Sequence, residues 1–92
     1  MIDVTTTSIY EDYKTMIYFL ERKRDEVRVR IHLASMEVTE EWEVVEKKWE
    51  HMRAKGEKLK NASGESAKDI GEAVNALGRE IGESYKRLLL VL

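Results

Sequence analysis

Ninety-two residues carrying 16 Lys and Arg against 18 Asp and Glu make one small domain of net charge −2, too evenly balanced for a polyanion binder or a strongly acidic chain. The absence of cysteine removes disulfides, thiolate nucleophiles and cysteine zinc sites, and the absence of proline permits long helices. About half of the chain is Ala, Glu, Lys, Leu or Arg, a composition typical of coiled coils and long helices, so the expected fold class is all-α, one helical domain over residues 1–92.

The first residues, Met1-Ile2-Asp3-Val4-Thr5-Thr6-Thr7, lack the basic start and apolar core of a secretory signal. Residues 1–7 are expected to be frayed and the chain to be soluble and cytoplasmic. A capping box is expected at Ser8-Ile9-Tyr10-Glu11, with the Ser8 hydroxyl accepting the Glu11 amide. Apolar residues then recur at Tyr13, Ile17, Leu20, Val27, Ile31, Ala34 and Val38. The steps alternate four and three once Arg24 is admitted as a snorkelling member, which is a helical seam. Val27-Arg28-Val29-Arg30-Ile31-His32-Leu33 also alternates with period two, yet no hairpin turn or second strand accompanies it.

Beyond Val38 the apolar positions shift to Trp42, Val45, Trp49, Met52, Gly56 and Leu59. That extra four-residue step is a stutter, which unwinds a supercoil without ending the helix. The segment Ser35–Thr39 holds no Gly, Pro, Asn or Asp, so the favoured reading is one helix over 8–60. The alternative is a break near 35–39 and a three-helix bundle. Asn61-Ala62-Ser63-Gly64 is a clear stop signal, giving a turn over 61–65. A second helix over 66–89 follows, with acidic residues at its start and Lys86 and Arg87 near its end, as the helix dipole favours. Residues 90–92 complete an apolar tail, Leu88–Leu92.

A turn this short imposes an antiparallel hairpin in which partner numbers sum to about 126. Trp42, Val45, Trp49 and Met52 should therefore meet Leu77, Gly78, Ile81 and Gly82. Each interior glycine costs a helix about 0.5–1 kcal/mol; Gly64, Gly71, Gly78 and Gly82 are read as making room for the indoles opposite. The arms differ in length, roughly 80 Å against about 36 Å. Tyr13, Ile17, Phe19, Leu20, Val27 and Ile31 are thus expected to overhang without a partner in their own chain. Such a patch marks an interaction surface, and the expected outcome is a homodimer, a long antiparallel hairpin pairing into a four-helix-like bundle.

Little in the sequence points to chemistry. His32 and His51 lie too far apart on a helix to share a metal, and neither belongs to a Glu-x-x-His pattern. Glu40, Glu41, Glu43, Glu46 and Glu50 read as a solvated face, with Glu43–Lys47 and Glu50–Arg53 pairing across one turn. The basic cluster of Arg22, Lys23, Arg24, Arg28 and Arg30 is interrupted by Glu21, Asp25 and Glu26, which argues against nucleic acid. No nucleophile or phosphate loop stands out, so no enzyme activity, cofactor or metal is expected. The polar faces are mixed or acidic rather than lysine-rich, which weakens binding to anionic lipid, so a membrane surface is not the expected partner; a lipid-surface binder using Met16–Leu20 and Leu88–Leu92 is the alternative function.

From about Trp42 to Leu88, the residues Trp42, Trp49 and Leu59-Lys60-Asn61-Ala62-Ser63-Gly64, with the Ala/Gly-spaced helix after them, resemble small bacterial coiled-coil, stress-induced or apolipoprotein-like helical hairpin proteins. The likeness spans about half of the chain. It implies a cytoplasmic helical protein with a stress-linked role and no catalytic residues to carry over. Gly71, Gly78 and Gly82, where bulkier residues are expected, and the aromatic N-terminal half depart from that pattern. The function expected is that of a non-enzymatic, self-associating structural or interaction protein.

Overall fold

The structure, a computed structural model, describes residues 4–92, with side chains from Ser8 onward. Three helices account for almost all of it: α1 (Val4–Arg30), α2 (Met36–Glu57) and α3 (Gly64–Val91), with short 3-10 turns at Ile31–Leu33 and Lys58–Lys60. The all-α class is as expected. Part of the segment expected to be frayed, residues 4–7, belongs to α1, which places Ser8 inside the helix and not at its cap. Residues 1–3 of that expectation lie outside the described residues.

The single helix over 8–60 is corrected: the chain turns back on itself between Arg30 and Met36. Ile31–Leu33 tightens into a 3-10 turn closed by the Ala34 N–H donating to the Ile31 carbonyl at 3.0 Å. Ala34 and Ser35 are then extended, with ψ of 156° and 166°. Ser35 restarts the helix, its Oγ accepting the Val38 N–H at 3.3 Å, with Glu37 in the first turn. A serine cap satisfies an otherwise orphaned amide and suits an acidic residue beside it. The break therefore needs neither glycine nor proline. The second turn follows expectation more closely: Gly64 has φ 59° and is the one described residue with positive φ, while Leu59 is buried beneath the turn.

Folding at residue 35 removes the length mismatch. Helices of 27, 22 and 28 residues are about 40, 33 and 42 Å long, and they pack side by side in a body 50 × 17 × 15 Å across its Cα positions. The helix α2 runs antiparallel to the other two. Its pairing with α3 follows the expected register, with Trp42 against Tyr85 at 6.3 Å between rings, Lys48 bound to Glu80 and Glu41 to Arg87 at 3.4 Å. The helices α1 and α3 are parallel, because Ile9, Met16 and Leu20 lie over Gly71, Gly78 and Gly82 in turn.

Tyr13, Ile17, Leu20 and Val27 are buried in this bundle with Val45, Trp49, Met52, Leu59, Val74, Ile81, Tyr85 and Leu88. The overhang expected to join two chains is thus covered by the protein's own third helix. The glycine argument changes as well. A Cβ at Gly78 would overlap the Met16 sulfur, one at Gly71 would come within 2.8 Å of Ile9, and one at Gly56 would overlap the Tyr13 ring. These glycines admit the side chains of α1, not the indoles of α2.

Candidate functional site

At the middle of the bundle the Arg24 guanidinium donates to both carboxylate oxygens of Glu46, at 2.8 and 2.6 Å. It also lies 5.3 Å from the Trp49 ring, whose surroundings include Arg53 at 5.9 Å. A bidentate, partly buried pair of this kind fixes register more than it adds stability. The hydrogen bond to Glu46 holds the Arg24 guanidinium above its ordinary pKa. Arg24, expected as a snorkelling member of the helical seam, ties α1 to α2. Arg53 reaches Glu21 at 3.7 Å; the pairs expected at Glu43–Lys47 and Glu50–Arg53 are not among the described ion pairs. Tyr85 lies against Trp42, and burial, followed by the Glu46 charge, raises its phenol pKa well above the ordinary value.

His32 and His51 are exposed, and among the described residues no group of three or more His, Asp or Glu could hold a metal ion. No helix among the described residues is long and apolar enough to cross a membrane.

The surface has two features of its own. The first is the end of the bundle where the α1–α2 turn meets the close of α3. Leu33, Met36 and Leu90 are 81%, 79% and 80% exposed there, and Val91 is 67% exposed. Leu33 and Val91 line one hollow with Val38 and Leu92; Leu90 and Val91 border a second with Glu37, Glu41 and Arg87. The charges around this end are separated by helix. The last turns of α1 carry Arg22, Lys23, Arg24, Arg28 and Arg30 against Asp25 and Glu26, a basic excess, whereas α2 from Met36 to Glu46 carries Glu37, Glu40, Glu41, Glu43 and Glu46 and no basic residue; Lys23–Glu26, Arg24–Glu46 and Glu41–Arg87 are paired within the chain.

The second feature is a groove between α1 and α3 just below that end, about 470 Å³, lined by Lys23, Gly82, Lys86, Leu89 and Leu90. A smaller hollow of about 170 Å³ lies between the same helices towards their N-terminal ends, bordered by Asp12, Lys68 and Glu72 among others.

Of the residues expected to mediate self-association, Tyr13, Ile17, Leu20 and Val27 are interior, Ile31 packs partly against the core, and only Phe19 is exposed, at 60%. Phe19 stands edge-on to Tyr18 at 5.6 Å, with Arg22 over the Tyr18 ring at 5.8 Å. Of the residues expected to pack within the hairpin, Val45, Trp49, Met52, Gly78 and Ile81 are buried and Trp42, Leu77 and Gly82 partly so, with Gly78 and Gly82 turned to Met16 and Leu20 of α1 and not to α2. The apolar tail divides, with Leu88 interior and Leu90 and Val91 outside. Leu33 and Met36 were missed; the available signal was that both fall off the helical seam on either side of Ser35. Comparison with protein-family models, with curated proteins and with solved structures returns no match.

Proposed function

We propose that this chain is a non-enzymatic interaction protein that self-associates, taking a second copy end to end through Leu33, Met36, Leu90 and Val91. The reading is carried by one observation: the most exposed large hydrophobic side chains, Leu33, Met36 and Leu90, lie with Val91 at one end of the bundle, while Tyr18, Phe19, Val29 and Val44 are exposed to a lesser or equal degree outside this set. Exposed apolar groups gathered in this way mark contact surfaces. The occupant follows from the charge pattern. A two-fold axis across the end lays the basic close of α1 on the acidic start of α2 in the partner, and the same contact repeats by symmetry.

The small cross-section keeps the contact at the low end of interface areas, where association is weak and transient. Sedimentation velocity across a concentration series tests it. The expected result is a monomer that becomes a dimer as concentration rises, less readily at high salt because the charges are screened. Replacing Leu33→Ser and Met36→Ser together should leave a monomer of unchanged melting temperature. A wild-type chain that stays monomeric into the millimolar range would end the proposal. A lipid surface could use the same leucines, but Glu37, Glu40 and Glu41 beside them repel anionic bilayers; flotation with neutral and anionic vesicles separates that reading.

A further inference from the structure

The fourth glycine of α3 is not explained by packing. Gly71 and Gly78 sit where a Cβ would collide with α1, whereas a Cβ at Gly82 would meet only Leu20 Cδ2, at an ordinary 3.5 Å. A glycine in the middle of a 28-residue helix weakens that helix without any intrachain compensation. What the missing side chain does is open the floor of the groove between α1 and α3.

That groove joins two chemistries. Leu89 and Leu90 give it an apolar wall, and Lys23 and Lys86 line it from opposite helices, with no carboxylate residue in its lining. Lys23 has one exposed partner, Glu26 at 3.7 Å; Lys86 is in none of the described ion pairs. The smaller hollow between the same helices is bordered by Asp12 and Glu72 as well as Lys68, so its charge does not favour an anion. From Gly82 to Leu90 the lining runs about 12 Å along α3, too short for a docked helix but suited to an alkyl chain. We infer that the α1–α3 groove at Gly82 binds a single-chain anionic amphiphile, a free fatty acid, with the chain over Gly82 and along Leu89 and Leu90 and the carboxylate between Lys23 and Lys86.

This site shares Leu90 and Lys23 with the proposed end-to-end contact, and it is tested apart from that contact through residues the two do not share. Titration calorimetry with laurate below its micellar concentration should show saturable binding of one molecule per chain. Gly82→Leu fills the floor and should reduce affinity at least tenfold while keeping the helical circular dichroism and without lowering the melting temperature. The Lys23→Gln, Lys86→Gln pair should weaken laurate about tenfold and leave dodecanol binding, where present, unchanged. Leu33→Ser with Met36→Ser should abolish self-association yet bind laurate as the wild type does. Equal binding of laurate by wild type and Gly82→Leu would overturn the inference. So would flotation with phosphatidylglycerol vesicles in the absence of any saturable laurate binding, which would make the surface a bilayer contact instead.

Discussion

The two ends of the bundle treat the same kinds of residue in opposite ways. Towards the N-terminal ends of α1 and α3, glycines and bulky side chains are matched: Tyr13 fills the space over Gly56, Met16 that over Gly78, and Ile9 that over Gly71. Towards the other end Leu20 stands far enough from Gly82 that a Cβ would make only ordinary contact at 3.5 Å, and Leu33, Met36, Leu90 and Val91 are exposed. Where knob and hole are paired, the apolar inventory is used up by folding, and the glycine's cost to its helix is offset by close packing. Where they are not, folding leaves apolar surface that only something outside the chain can cover.

The matched end should be the more fragile to added volume. Gly56→Ala places a methyl inside the Tyr13 ring, which is itself buried, and overpacking of this kind costs about 1–3 kcal/mol. Urea unfolding should register the loss in full. Gly78→Leu should cost a similar amount, and a second change identifies the cause. Adding Met16→Ala should restore much of the lost stability, because the clash is with the Met16 sulfur; if trimming Trp49 restored more, the α1–α3 packing described above would be wrong.

Gly82→Ala is the converse experiment. Its methyl makes ordinary contact with Leu20, so removing a glycine from a helix interior should raise stability by about 0.5–1 kcal/mol. Opposite signs for Ala at positions 56 and 82 would sharpen the distinction between the two ends. The same sign would erase it.

How far these differences could be read from sequence depends on what each signal constrains. The α2–α3 hairpin was legible because Asn61-Ala62-Ser63-Gly64 is a local stop and a short turn fixes register, which is why Trp42 meets Tyr85 where the numbering placed it. The break at Ser35 was not, since only a serine hydroxyl accepting the Val38 amide marks it, and serine occurs in too many settings to signal a turn by itself. The consequence for the fold is large. A seam of Tyr13, Ile17, Leu20 and Val27 shows that one face of α1 must be buried but not by which helix, and a third helix folding back serves as well as a second chain. The glycine spacing was likewise visible while its partner was not: period seven in α3 says that one face is bare, not whether α1 or α2 lies against it.

Two tyrosines test both ends by their polar atoms. The hydroxyls of Tyr13, in the matched half, and Tyr85, nearer the open end, are buried and have no hydrogen-bond partner among the described residues. A buried hydroxyl left unpaired loses its hydration without replacement, so Tyr13→Phe and Tyr85→Phe should each be neutral or stabilising by up to about 1 kcal/mol at pH 7. Alkaline pH enlarges the difference. Burial raises both phenols above the ordinary value of 10.0, Tyr85 more strongly. Near pH 10 and beyond, the unfolded chain releases these protons while the folded chain retains them, so the folded state binds more protons and its stability falls as pH rises. Removing Tyr85 should therefore flatten the alkaline decline more than removing Tyr13. Parallel declines for wild type and both variants between pH 9 and 11 would mean that water reaches the hydroxyls, and that neither end of the bundle is as closed as its packing implies.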